Sequence, residues 1–339
     1  MTARAFITGL AGPTLNADER AFLREASPWG LILFKRNIQD VPQVTQLVDD
    51  FFAAIDRCDA PVLVDQEGGR VQRLGPPHWP AYPPGAAFGR LYDHDPAAGL
   101  AAARLGARLI AADLAPLGIN TDCLPVADVP VSGADAVIGD RAYGETPEKV
   151  AAIAGAVAQG LAAGGVLPVL KHIPGHGRAT ADSHLRLPVV TTDRPTLETS
   201  DFAAFRPLKN LPMAMTAHVV FSAIDPVCPA TTSATMIREV IRESIGFDGL
   251  LMSDDISMGA LTGSIAERTQ AALAAGCDVV LHCNGRLDEV QAVAGSAPAL
   301  AGAAAGRAAA ALAARGTPSE LDLPAARREF AAMMGALAA

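Results

Sequence analysis

Lys171-His172-Ile173-Pro174-Gly175-His176-Gly177-Arg178-Ala179-Thr180-Ala181-Asp182-Ser183-His184 is the stretch of this chain richest in groups that do chemistry. An aspartate two residues before a histidine in an extended segment places both side chains on one face. Asp182 can then orient the His184 imidazole as in a catalytic dyad, and the alternative is an ordinary loop contact. Ser183 points elsewhere, and no nucleophile elbow exists, so these residues do not read as a serine-hydrolase triad. Lys171 offers either a Schiff-base amine or, beside His172, hydrogen bonds to substrate hydroxyls. A zinc site would need His172, His176 and His184 with Asp182 or Asp254. The short turn cannot present two ligands as a helical HExxH does, so no metal is expected. His176 reads as a residue that pins the loop.

Other ionisable groups recur at the ends of apolar runs. Asp65 follows Pro61-Val62-Leu63-Val64, and His218 follows Met213–Ala217. Asp254 and Asp255 follow Leu250-Leu251-Met252, while His282 and Asn284 follow Asp278–Leu281. Strands are expected at Ala5–Gly9, Gly30–Phe34, 61–64, Ile119–Val126, Val166–Leu170, Met213–Ala217, 250–252 and 278–281. Helical patterns separate them: Asn16 caps one through Ala26, and others cover Val41–Ile55, Pro96–Leu117, Pro147–Ala163 (capped by Thr146), Phe202–Leu208, Thr232–Ile245 and Ile265–Ala275. Residues 75–95 read as a Pro- and Gly-rich loop, and 127–145 as a second long loop.

Eight strands alternating with helices predict an α/β fold, a (β/α)8 TIM barrel, with the site at the C-terminal ends of the strands. An open doubly wound sheet is the competing architecture. We expect one domain over residues 1–339, the last ~40 residues or so being Ala-rich covering helices.

The composition narrows the function. The 339 residues are half apolar, 19% are charged, and the net charge is −9, which suits a globular protein and disfavours nucleic acid as the main partner. No apolar run of roughly 18 residues predicts a membrane span, and the N-terminus lacks a signal-peptide layout. Five scattered cysteines with no CxxC pair fit a reducing cytoplasm. No glycine-rich nucleotide loop follows a strand, and no cofactor is expected.

Residues 171–188 resemble the pattern KH(F/I)PGHGxxxxDSHxxLP of family 3 glycoside hydrolases, in particular the bacterial cytoplasmic β-N-acetylglucosaminidases of peptidoglycan recycling. Val64–Leu74, Ile138–Gly144 and Gly246–Met258 resemble further segments of that group, in the same order. The resemblance implies Asp254 as nucleophile, His184 as general acid/base and Asp182 as the group that orients it. It also implies that Asp65, Arg73, Arg141, Lys171 and His172 bind the sugar. Arg73 and Arg141 are then expected to hold Asp254 ionised, and Asp65 and Lys171 to grip hydroxyls from opposite sides. From strand geometry alone Asp255 is as good a nucleophile as Asp254. The implied reaction is retaining hydrolysis of a terminal β-linked N-acetylglucosamine on anhydro-muramic acid, with or without peptide, by a cytoplasmic monomer. Arg178 departs from the pattern, standing where an acidic residue is frequent. A substrate-assisted mechanism and a sugar-binding barrel without turnover are the rival readings.

Overall fold

Apolar runs too short to be helices form the inner wall of the molecule. The computed structural model describes residues 2–335. Its barrel strands are β1 (Arg4–Thr8), β2 (Pro28–Leu33), β3 (Val62–Val64), β4 (Thr121–Asp122), β5 (Leu167–Ile173), β6 (Met213–Thr216), β7 (Leu250–Asp255) and β8 (Val279–His282). Each pairs in parallel with its sequence neighbours, and β8 closes on β1. This is the expected eight-stranded barrel with helices around it.

Strands buried on both faces read as continuous apolar runs because alternate residues enter different cores. Leu167 and Val169 of β5, Leu250 and Met252 of β7, and Val279 and Leu281 of β8 pack together inside the barrel. Leu170, Leu251 and Val280 join the larger core between the strands and the helices. Continuing the inward series along each strand reaches Lys171 after Val169 and Asp254 after Met252. The site's charged groups thus follow the same period that fills the barrel.

The outer helices form where amphipathic spacing meets a good cap. Val41–Ile55 matches its expected bounds: Asp40 accepts the Gln43 N–H at 2.9 Å, and Val44, Leu47, Val48 and Phe51 are buried. Asn16 and Glu19 make a reciprocal capping box, which stabilises by about 0.5–2 kcal/mol. Pro147–Ala163 begins at Thr146, whose hydroxyl makes no capping bond.

Several expectations shift. The segment 75–95 is not all loop, because Gly85–His94 is a helix that buries Ala87, Phe88 and Leu91; its prolines lie before the first turn, where they do not break it. The expected strand Ile119–Val126 is reduced to Thr121–Asp122 and an isolated bridge from Val126 to Lys171. Phe202–Leu208 forms two short 3-10 turns rather than one helix, preceded by a helix at Arg194–Thr199. The Pro96 helix is α-helical to Leu114 and tightens to 3-10 through Leu117.

The Ala-rich end divides into helices Leu287–Ser296, Gly302–Ala313 and Leu323–Gly335. Ala308 and Ala311 of the middle helix belong to the barrel-interior core. Arg307 pairs with Asp248 and Asp278, the residues just before β7 and β8. That helix therefore closes the N-terminal end of the barrel, and its small side chains let the backbone come close.

Candidate active site

A cavity of about 330 Å³ opens at the C-terminal ends of the strands. All eight expected site residues line it: Asp65, Arg73, Arg141, Lys171, His172, Asp182, His184 and Asp254. Met215, Leu281 and Ile32 also line it and belong to the barrel-interior core.

One wall is an alternating charge network. Lys171 Nζ lies 2.9 Å from Asp65 Oδ1 and 2.7 Å from Glu67 Oε1. Arg73 donates to Asp65 at 2.9 Å, and Arg141 makes two bonds to Glu67, at 2.8 and 2.7 Å. A tight turn through Gly68 and Gly69, both at positive φ, folds Gln66–Gly68 back on Val71–Gln72 and returns Arg73 to Asp65. A side chain at Gly68 would run into the Pro83 carbonyl, so only glycine fits there. Asp65 and Lys171 thus share one wall, in contact, instead of flanking the sugar from opposite sides.

Burial raises the Asp65 and Glu67 carboxyls, but the facing cations outweigh it. Lys171 and Arg73 hold Asp65 far below the usual range, and Lys171 with Arg141 brings Glu67 to about 2. Burial alone would lower Lys171, yet Asp65 and Glu67 raise it. Carboxyls depressed by folding stabilise fully above their unfolded values, about 4, and that stability drains as pH falls towards the folded ones. The raised lysine keeps its share until pH climbs past about 10. Acid titration should therefore weaken the fold progressively between about pH 4 and 2. Glu67→Ala should lose about 3–5 kcal/mol, because it strips a partner from two buried cations. Urea midpoints at neutral pH check it, and a variant as stable as the parent would contradict it.

Asp254 and Asp255 both line the cavity, which strict alternation forbids; the β7–β8 register shifts between Met252 and Asp255. Their bonding differs. Asp255 accepts from the Ser257 N–H at 3.0 Å, the Ser257 hydroxyl at 2.6 Å and the Cys283 N–H at 3.1 Å, so both its oxygens are occupied. Among the described residues, Asp254 accepts only the Asp255 N–H, at 2.7 Å through Oδ1. Burial raises Asp254, but the nearby His218 and His172 rings and that N–H hold its carboxyl below the ordinary range. The arginines do not brace Asp254 as expected, because each is spent on Asp65 or Glu67.

Lys171 and His172 both face the cavity because β5 also shifts register, between Lys171 and Ile173. His172 Nδ1 pairs with Asp128 Oδ2 at 2.6 Å. His176 donates its backbone N–H to Asp128 Oδ1 at 2.6 Å, and its Nε2 lies 2.9 Å from Ser183 Oγ. Burial, with His172 adjoining, lowers the His176 ring to about 4, so it is neutral near pH 7.

Asp182-Ser183-His184 is not extended. It is a turn in which Asp182 Oδ1 accepts the His184 N–H at 2.9 Å and pairs with His184 Nδ1 at 2.7 Å, an Asx-type arrangement. The pairing expected from a strand period is reached by a different backbone. Burial raises Asp182, but its bonds from His184 and the nearby His184 and His176 rings together outweigh that and lower it. The His184 side chain is 63% exposed, with Nε2 left for a ligand. The loop is tied to the β7 side by Gly259 N–H to His184 O and Ala260 N–H to Ser183 O. Arg178, the departure from the pattern, reaches Asp201 at 2.5 Å and Ser200 Oγ at 3.0 Å.

Two groups of the site were not singled out from sequence. Glu67 lies two residues beyond Asp65, and that spacing is the signal that could have found it. Asp128 follows β4 in the long loop, an acid after a strand like the others. Conversely, His218, His282 and Asn284 stand outside the cavity lining. His218 bonds Thr231 and the Asp255 carbonyl, while His282 and Asn284 bond Glu289.

Comparison with known proteins gives a consistent result. The family model "Glycosyl hydrolase family 3 N terminal domain" matches residues 5–307. A β-hexosaminidase of Alkalilimnicola ehrlichii is 42% identical over 282 residues, spanning 81% of this chain and 79% of that protein. One from Methylococcus capsulatus is 42% identical over 279 residues, 81% of each. The crystal structure of NagZ from Neisseria gonorrhoeae with N-trifluoroacetyl-D-glucosamine superposes with a TM-score of 0.85 at 33% identity, covering 100% of this chain and 98% of that one.

Proposed function

The chain belongs to glycosyl hydrolase family 3 and is a β-N-acetylhexosaminidase, and from that premise we propose a retaining reaction with Asp254 as nucleophile and His184 as acid/base. The substrate is a terminal β-linked N-acetylglucosamine on anhydro-muramic acid, with or without its peptide. The observation that carries the reading is the contrast between the two adjacent acids: Asp255 is fully engaged, whereas Asp254 meets the cavity with one oxygen unpaired.

An Asp254 oxygen attacks the anomeric carbon as the glycosidic C–O bond breaks. His184 Nε2 gives its proton to the departing oxygen, while Asp182 holds Nδ1. Water then yields a proton to His184 and attacks the same carbon. The bond to Asp254 breaks, the sugar leaves with its original configuration, and both residues are restored. Most retaining glycosidases use two carboxyls; a histidine here adds no negative charge beside the nucleophile. The Asp65, Lys171, Arg73, Arg141 and His172 wall holds the sugar through charge-assisted hydrogen bonds.

We place this activity in the cytoplasm, in a monomer with one catalytic domain. The free cysteines suit a reducing compartment, and no helix among the described residues is long and apolar enough to cross a membrane. Trapping with a 5-fluoro N-acetylglucosaminyl donor tests the chemistry. The expected adduct maps by peptide mass spectrometry to Asp254. An active enzyme that never accumulates an adduct would instead favour the 2-acetamido group as internal nucleophile.

A further inference from the structure

We propose that His176 and Ser183 are positioning residues for the acid/base: their hydrogen bond holds the Asp182–His184 turn over the sugar cavity. The proposal rests on the reading of His184 above. Residues 175–187 are fixed at their base. His176 is bonded to Asp128 through its N–H, Ala179 O accepts the Asp135 N–H, and Arg178 is tied to Asp201. A side chain at Gly177 would collide with the Val129 carbonyl, so this part lies directly on the neighbouring loop. Among the described residues, the hydrogen bonds that hold the tip from outside are the backbone bonds from Gly259 and Ala260. Between base and tip runs one side-chain link, His176 Nε2 to Ser183 Oγ at 2.9 Å.

Its placement suits it to the task. Ser183 is 3% exposed and lies between the two members of the dyad, so fixing its hydroxyl fixes both neighbours through one residue of backbone. His176 is also 3% exposed. Among the described residues the bond to Ser183 is the side-chain hydrogen bond this ring makes. Asp128 adds a second connection, since the same carboxylate holds His172 Nδ1 and the His176 N–H. The wall residue His172 and the dyad are thereby joined through Asp128, His176 and Ser183. A sugar that settles against His172 meets a loop already referred to the same anchor.

Ser183→Ala removes one oxygen, and His176→Gln keeps a polar side chain of shorter reach. Each is expected to speed amide hydrogen exchange in 182–186. Each should lower kcat on an alkyl N-acetylglucosaminide about tenfold and on an aryl one about twofold, with little change in KM. The reason is that only the poor leaving group needs the full contribution of a general acid, roughly 10²- to 10⁴-fold. The double variant should be no worse than either single one, the signature of a shared interaction. Unchanged exchange in 182–186, or losses that simply multiply in the double variant, would overturn the proposal. So would equal losses on both substrates in enzyme where His184→Ala separates them. If His184→Ala itself fails to separate them, the acid assignment has failed, and exchange with the double-variant comparison alone decides the positioning.

Discussion

Asp254→Asn is expected to lower kcat by roughly 10⁴-fold or more, the scale seen when a covalent nucleophile is removed. The loss should be similar for aryl and alkyl glycosides, because both must pass through the same covalent intermediate. The amide keeps the size of the carboxylate and its bond to the Asp255 N–H, so folding should survive, and the melting temperature checks that. Asp255→Asn is the informative control. Its carboxylate ties Ser257 to the Cys283 backbone, so the change should appear mainly as lost stability, with a far smaller loss of turnover. A dead Asp255→Asn beside an active Asp254→Asn would reverse the assignment. Since Asp254 sits below the ordinary carboxyl range, it stays ionised through neutral and mildly acidic pH.

His184→Ala should show a different pattern. A disaccharide or alkyl glycoside is expected to lose roughly 10²- to 10⁴-fold in kcat/KM, the usual share of a general acid. A nitrophenyl glycoside, whose leaving group departs without a proton, should lose much less in the first step. The second step still needs a base, so a slowed release should accumulate the glycosyl-enzyme and produce a burst of nitrophenol. Asp182→Ala should give the same pattern at smaller size, because the imidazole remains but loses its orienting bond. Stopped-flow measurement on the aryl substrate checks both. Equal losses for both leaving groups, without a burst, would argue against His184 as the acid.

The barrel was readable because eight apolar runs alternate with capped amphipathic helices. Helices such as Val41–Ile55, Pro147–Ala163 and Ile265–Ala275 carry their limits in local residue types. The Gly85–His94 helix is hidden by prolines that lie just before it, and β4 is shorter than expected because the apolar residues after Asp122 keep separate backbone bonds to Val64, Val169 and Lys171 rather than a continuous ladder. In the site, residue identity was more legible than pairing. Arg73 and Arg141 were assigned to Asp254, but their partners Asp65 and Glu67 depend on a hairpin fold-back that no spacing along a strand reveals. The choice between Asp254 and Asp255 depends on a register shift and on which carboxylate the Cys283 amide claims, both long-range facts. Asp182 and His184 meet as expected, yet through a turn, since an aspartate bonding the N–H two residues ahead competes well with extended structure.

The packed barrel interior sets the traffic of the proposed reaction. Ile32, Met215 and Leu281 form the floor of the cavity, and its open face lies beside the exposed His184. The sugar goes in first and must come out last. The departing half vacates the doorway, and the water for the second step arrives by the route just cleared. On the proposed reaction, free N-acetylglucosamine is therefore expected to compete with incoming substrate for the innermost position, and the other product to obstruct only the threshold.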